Sequence, residues 1–115
     1  MISDDAIWDL ETRFWPEGAD SARQMPAKEA VFVFPYPAGI LHGDALFREK
    51  EVAQRWRSVE MTEQFISRVG EVAVLAYRVS AERNGEPVYE ALCTSTYLTD
   101  ADKGQRLSHQ QTPTD

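Results

Sequence analysis

An α+β fold is predicted for this chain by three observations. The N-terminal stretch carries apolar side chains at helical spacing. The second half alternates apolar and polar residues with period two. Two dipeptides, Gly70-Glu71 and Asn84-Gly85, divide that half into strands. The first element is a helix. Ser3 is a good N-cap, Asp4 and Asp5 sit where the helix dipole favours carboxylates, and Ile7, Leu10 and Phe14 form one face. Trp8 and Trp15 widen that face, and Pro16 and Gly18 end the helix. A short helix is expected over Asp20 to Met25, closed by Pro26. Ala30 to Phe34 is a β-prone run halted by Pro35 and Pro37, and Tyr36 to His42 forms a turn and return strand around Gly39. Gly43-Asp44 opens a second main helix with Leu46, Phe47, Val52, Ala53 and Trp56 on its apolar face.

From residue 57 onward a four-stranded antiparallel meander is expected. Gly70-Glu71 suits a type II′ hairpin and Asn84-Gly85 a type I′ hairpin, while Thr99 to Gly104 makes a longer turn. Pro113-Thr114-Asp115 is expected to fray. With Asn84-Gly85 as a two-residue loop, Val79 pairs with Glu90, Tyr77 with Leu92, Leu75 with Thr94 and Ala73 with Thr96. The opposite face then carries Val72, Val74, Ala76 and Arg78 with Tyr89, Ala91, Cys93, Ser95 and Tyr97. The Gly70-Glu71 turn adds Met61, Phe65 and Val69 to that face and sets Glu63 opposite Arg78 as an ion pair. Both faces are more apolar than one solvated sheet should be. One is expected to lie under the helices and the other against a second copy, making a homodimer.

Composition narrows the partners. The 115 residues are expected to form a single domain spanning 1–115, with 43% apolar and 27% charged residues, values of a soluble globular protein. Twelve Lys+Arg against nineteen Asp+Glu give a net charge of −7, with no basic run. Nucleic acid and anionic membrane are therefore not expected as partners. The longest apolar runs, Val72–Tyr77 and Ala30–Phe34, fall far short of a membrane span. The acidic start lacks the order of a signal peptide, so a cytoplasmic location is expected. Cys93 stands alone, which excludes an internal disulfide. A zinc site needs more ligands than His42, His109 and Cys93 offer at these spacings. No Gly-rich phosphate loop, serine elbow or paired-cysteine motif is present.

The order helix, short helix, short hairpin, helix and bent meander resembles the nuclear transport factor 2-like superfamily, which includes ketosteroid isomerases and SnoaL-like cyclases. The residues that carry the resemblance are Leu10-Glu-Thr-Arg-Phe-Trp15, Ala30-Val-Phe-Val-Phe-Pro35, Ala91-Leu-Cys-Thr-Ser-Thr-Tyr97 and the stretch from Leu107 to Pro113. Within the superfamily they are most similar to the uncharacterised domain-of-unknown-function 4440 branch. The resemblance implies a cystatin-like cone: a strongly bent antiparallel sheet wrapped around N-terminal helices, with a pocket between sheet and helices. It also implies a homodimer through the sheets, and in many relatives no metal or organic cofactor. It turns Leu75, Tyr77, Val79, Thr94, Thr96 and Leu98 toward the pocket, followed by Leu107, His109 and Gln111 from the last strand. The isomerases' catalytic carboxylate falls at Phe34, their oxyanion-hole acid near Thr94 and their helix tyrosine near Glu11. All three positions are changed, so isomerase chemistry itself is not implied.

The candidate ligand-binding residues are Trp15, Phe32, Phe34, Tyr36, Trp56, Leu75, Tyr77, Thr94, Thr96 and Gln111, with His109 as the candidate catalytic group. Imidazole trades a proton near neutral pH without large tuning. Gln111 and Tyr77 can orient a carbonyl or hydroxyl, and Glu11 or Glu90 can hold the imidazole. The plainer reading of His109, Tyr77 and the tryptophans is core packing. His42 reads as a solvated loop residue, and Cys93 as an inert residue on the dimer side. Two function classes follow. One is a small-molecule-binding module with a mostly apolar pocket. The other is a cofactor-independent isomerase, dehydratase or cyclase with His109 as general acid/base.

Overall fold

The computed structural model describes residues 2–17, 27–36, 38–43, 56–83, 85–100 and 104–114. The expected short helix at Asp20–Met25 and the body of the expected second helix after Gly43 lie outside the described residues.

Helix α1 spans Asp4–Glu17. Its cap forms as the sequence dictates: the Ala6 amide donates to the Ser3 hydroxyl at 3.2 Å and the Ile7 amide to the Ser3 carbonyl at 3.1 Å. Six strands follow: β1 (Val31–Val33), β2 (Ile40–His42), β3 (Ser58–Val69), β4 (Val72–Glu82), β5 (Tyr89–Leu98) and β6 (Gln105–Pro113). They form one sheet in the order β2-β1-β6-β5-β4-β3. Among the described residues β1 and β6 are the parallel neighbours, with Phe32 beside His109. The sheet is therefore mixed rather than wholly antiparallel. The chain between β1 and β6 passes through the other four strands before returning, which is why alternation alone did not reveal this pair.

The Gly70-Glu71 hairpin forms in the expected register, with Val69 opposite Val72. Gly70 has φ +56° while Glu71 keeps an ordinary φ, the signature of a type II′ turn. Farther along, β3 bulges between Thr62 and Phe65, and Glu63 at the bulge has φ +50°. This extra residue corrects one expectation. Unbroken alternation puts Met61 on the outer face, but the bulge turns it and Val59 onto the core, leaving Phe65 and Val69 outside. The Glu63–Arg78 ion pair forms at 4.0 Å.

The β4–β5 register differs from the expected one by a single residue. Val79 lies opposite Ala91, Tyr77 opposite Cys93, Leu75 opposite Ser95 and Ala73 opposite Tyr97. Asn84 lies outside the described residues, and beyond it the Glu86 amide donates to the Arg83 carbonyl at 3.3 Å. Pro87 then has no amide to give the ladder, and pairing resumes only at Tyr89 with one residue gained. Because side chains alternate, this slip inverts all of β5. Tyr89, Ala91, Cys93, Ser95 and Tyr97 turn inward beneath α1, and Leu92, Thr94 and Thr96 turn outward.

The β6 register absorbs the slip through a bulge at Thr96/Tyr97, which sets Tyr97 opposite Arg106 and Ser95 opposite His109. The inward position expected for His109 therefore holds, and it is 1% exposed. The C-terminus is also better ordered than expected. Pro113 closes β6, and the Thr114 amide donates to the Glu90 carbonyl at 3.0 Å.

Two apolar clusters fill the space between α1 and the sheet. One gathers Phe14, Trp15, Phe32, Leu41, Tyr77 and Val79, the other Ile2, Ile7, Ala73, Leu75 and Tyr97. A polar cluster lies between them.

Candidate functional site

The polar cluster is built on Glu11. Ile7, Glu11 and Trp15 succeed one another at four-residue intervals along the buried stripe of α1, so the carboxylate is aimed at the sheet. It is fully buried. A buried carboxylate must be paired and hydrogen-bonded, and the sheet supplies five polar groups. Tyr77 and Ser95 donate to Oε2 at 2.5 and 2.7 Å. Tyr97 and the Arg106 guanidinium donate to Oε1 at 2.7 and 2.9 Å. His109 Nδ1 lies 3.4 Å from Oε2 and 2.6 Å from the Ser95 hydroxyl. Arg106 also donates to the Tyr97 hydroxyl, and Trp15 Nε1 donates to that of Tyr77 at 3.1 Å.

The electrostatics follow from this geometry. Burial alone would push the Glu11 carboxyl up, but the Arg106 guanidinium and His109, with help from Tyr77, hold it well below the usual carboxylate range. Tyr77 and Tyr97 are pushed well above the usual phenol range, first by burial and then by the Glu11 charge. Arg106 is raised despite its burial, because Tyr97 and Glu11 favour its charged form. At neutral pH the cluster thus holds an ionised carboxylate and guanidinium among neutral hydroxyls.

His109 links this closed cluster to the edge of the fold. Its Nε2 lies 2.9 Å from Gln111 Oε1, and Gln111 Nε2 donates to the Tyr89 hydroxyl at 3.2 Å. Gln111 and Tyr89 are half-buried. Aromatic rings surround the imidazole. Phe14 lies at 4.6 Å between centroids, Phe34 at 5.8 Å, Phe32 at 6.0 Å and Trp15 at 6.1 Å. Trp56 stacks on Tyr89 at 5.2 Å and meets Trp15 edge-on at 5.8 Å, with the Arg83 guanidinium 4.2 Å above its ring. The half-buried Gln111 amide and Tyr89 phenol can meet one polar group of an otherwise apolar molecule, with the buried imidazole behind them.

The structure thus brings together Trp15, Phe32, Phe34, Trp56, Tyr77, His109 and Gln111. Four expected site residues stand elsewhere. Thr94 and Thr96 are on the outer face because of the β5 slip, Thr94 reaching Gln110 at 3.4 Å. Tyr36 is 94% exposed, since the turn before β2 carries it away from the sheet. Leu75 faces inward but packs with Ile2, Ile7 and Tyr97 in the other cluster. Of the two carboxylates considered for holding the imidazole, Glu11 lies beside it, while Glu90 is outside, 3.6 Å from Arg78.

Cys93, expected on the dimer side, is buried inward, and burial together with the Glu11 charge pushes its thiol up to about 12. It is not a nucleophile near neutral pH. His42 is exposed at the end of β2. Ser95, Tyr97, Arg106 and Tyr89 were not among the expected site residues. The signal that points to them is Glu11 itself, a carboxylate in the middle of an apolar helical stripe. No group of three or more potential metal ligands occurs among the described residues, and no described helix is long and apolar enough to cross a membrane.

The outer face has its own relief. An open depression of about 420 Å³ lies between β3, β4, β5 and β6, lined by Glu63, Phe65, Arg78, Leu92, Thr94 and Thr112 among others. It is separated from His109 by the thickness of the sheet.

No family model matches the sequence, and no curated protein matches it. Solved structures do match. A protein provisionally assigned as a ketosteroid isomerase, from Parabacteroides distasonis, superposes with a TM-score of 0.80 at 14% identity, covering 96% of this chain and 87% of that one. An NTF2-like protein from Cytophaga hutchinsonii gives 0.74 at 12% identity, covering 98% and 99%. A CaMKII hub from S. rosetta gives 0.68 at 13% identity, covering 95% of each. The chain has the nuclear transport factor 2-like fold, an α+β cone.

Proposed function

We propose that this protein is a small-molecule-binding module of the cone fold. It holds an apolar ligand with a single hydrogen-bonding group and acts as a cytoplasmic homodimer. The observation that carries this reading is the placement of His109. Its Nδ1 is tied to a buried carboxylate and serine, while its Nε2 leads through Gln111 to a half-buried tyrosine beside Trp56. Native mass spectrometry of the purified chain is expected to release a small apolar molecule. His109→Gln keeps similar bulk and a hydrogen-bonding group. It is expected to retain near-native melting while affinity for that molecule falls at least ~tenfold, about 1.4 kcal/mol. A variant that melts early but binds as before would make His109 a core residue and overturn the reading.

The homodimer is supported by the outer face of the sheet. Phe65 is 69% exposed, Leu92 53% and Val74 39%, all on the outer face of the sheet, where a second copy would cover them. Sedimentation at micromolar protein is expected to give twice 13.1 kDa, and Phe65→Lys to halve it. A wild-type monomer would remove the dimer from the proposal.

A second reading keeps the same site for chemistry. One structural neighbour carries a provisional ketosteroid isomerase assignment, and His109 could pass a proton to a bound substrate as a cofactor-independent isomerase, dehydratase or cyclase would require. A turnover whose pH profile loses one limb in His109→Gln would favour it.

A further inference from the structure

The contacts of His109 fix where its protons sit. Three atoms form a tight triangle: Ser95 Oγ lies 2.7 Å from Glu11 Oε2 and 2.6 Å from His109 Nδ1. Both separations are hydrogen-bond distances, and each bond needs one proton. Ser95 has a single hydroxyl proton, and the ionised Glu11 carboxylate has none to give. If the serine proton goes to Glu11, the second bond can form only when Nδ1 carries a hydrogen. If it goes to Nδ1 instead, two oxygen lone pairs face each other at 2.7 Å beside a carboxylate. The 3.4 Å approach of Nδ1 to Oε2 also favours a hydrogen on Nδ1, since a bare nitrogen there would oppose lone pair to lone pair.

The other side of the ring is different. Nε2 faces the Gln111 side-chain amide at 2.9 Å. An amide offers an oxygen that accepts and a nitrogen that donates, and turning it over exchanges the two. With the oxygen toward the ring, Nε2 must carry a hydrogen, and the amide nitrogen donates to the Tyr89 hydroxyl. With the amide turned, its nitrogen donates to a bare Nε2 and its oxygen accepts the Tyr89 hydroxyl proton. Both arrangements satisfy every group in the chain.

We propose that Glu11 and Ser95 act as positioning residues that keep the hydrogen on His109 Nδ1, so that Nε2 alone gains and loses a proton, with the Gln111 amide turning over and the Tyr89 hydroxyl reversing at each change. The groups facing the ring agree with this assignment. Helix α1 presents Glu11 and two aromatic rings, and β1 presents Phe32 and Phe34. Strand β5 presents Ser95, and β6 presents Gln111 together with Arg106, whose charge lies 4.3 Å over the Phe14 ring that also packs on His109. From β4, Tyr77 donates to Glu11 and accepts from Trp15. The protonated ring and the neutral ring would therefore show the half-buried edge of the site two different faces. One has a Tyr89 hydroxyl free to donate to a ligand, and the other has that hydroxyl turned inward. An anionic or carbonyl oxygen is the ligand group suited to the first.

This inference rests on His109 as the working group of the proposed site, but its test uses the ligand-free protein. Imidazole nitrogen resonances of the full ¹⁵N-labelled chain, followed from pH 4 to pH 9, report the tautomer directly. The expected result is a neutral limb with pyrrole-type Nδ1 and pyridine-type Nε2, and an acid limb in which Nε2 alone changes type. A neutral ring with the hydrogen on Nε2, or an even mixture of tautomers, would overturn the proposal. Failure to find a ligand would defeat the binding reading and leave these resonances as they are.

Discussion

Glu11→Ala is expected to lower the free energy of unfolding by about 3–5 kcal/mol, because it takes a buried carboxylate away from the buried Arg106 guanidinium. The whole stability of a domain is about 5–15 kcal/mol. This one change therefore approaches the limit of what the fold can lose. Four further groups lose their acceptor at the same time: the hydroxyls of Tyr77, Ser95 and Tyr97, and the His109 imidazole nearby. A buried donor left unsatisfied costs its desolvation, about 1–3 kcal/mol, although the hydroxyls can turn toward one another and recover part of it. The cost differs in kind from that of an ordinary core truncation, and a second variant separates the two. Glu11→Leu combined with Arg106→Met removes both charges and fills their space with apolar side chains. It is expected to be more stable than either single change yet weaker than the wild type, because the Tyr77, Ser95 and Tyr97 hydroxyls still lack their acceptor. Urea denaturation of the four proteins gives the coupling directly. If Glu11→Ala costs under 1 kcal/mol, or the double variant is as weak as the sum of its parts, the ion pair does not hold the core together.

The cap at Ser3, the Gly70-Glu71 hairpin and the meander were legible in the sequence, because each depends on neighbours close along the chain, whereas the inward turn of His109 came from the family resemblance. The cap needs residues three and four apart, the hairpin two adjacent residues, and the strands their own alternation. What was not legible depended on counting residues between distant partners. Pro87 costs the second hairpin one residue of register, and that residue moves Ser95 and Tyr97 from the outer face to the core while sending Thr94 and Thr96 out. The bulge at Thr96/Tyr97 restores the phase, so His109 was placed correctly even though the strand beside it was not. The pairing of β1 with β6 spans most of the chain and leaves no local trace beyond two β-prone runs. The buried cluster was partly legible. Glu11 stands on the helix stripe where an apolar residue belongs, which already requires a cation and several donors somewhere on the facing sheet. Which strand positions supply them could not be read until the register was known.

The same cluster sets the pH range over which the fold is expected to persist. Glu11 titrates well below the usual carboxylate range in the folded chain, the Arg106 and His109 contributions outweighing burial. In the unfolded chain a glutamate titrates near ~4.3. Its contribution to stability is therefore complete above that value and is lost as pH falls toward the folded titration. Between the two, the unfolded chain holds one more proton than the folded one, and stability falls by about 1.4 kcal/mol per pH unit from this group alone. Tyr77 and Tyr97 act in the opposite direction. Both are raised well above the phenol range, so their contribution is complete below about pH 10 and is lost as pH rises beyond it. Maximum stability is expected on the plateau between, and the fold gives way from both sides through one hydrogen-bonded cluster. Unfolding free energies from pH 3 to pH 6 provide the test, with the Glu11→Leu/Arg106→Met variant as comparator. That variant lacks the carboxylate, so its acid limb should be shallower by the uptake of close to one proton. The other carboxylates are common to both proteins and cancel in the difference. Parallel acid limbs would mean that folding leaves the Glu11 titration unshifted, and a wild-type limb shallower than the variant's would mean that Glu11 stays protonated in the folded chain. The proton count drawn above for Ser95 and His109 would then lose its starting point.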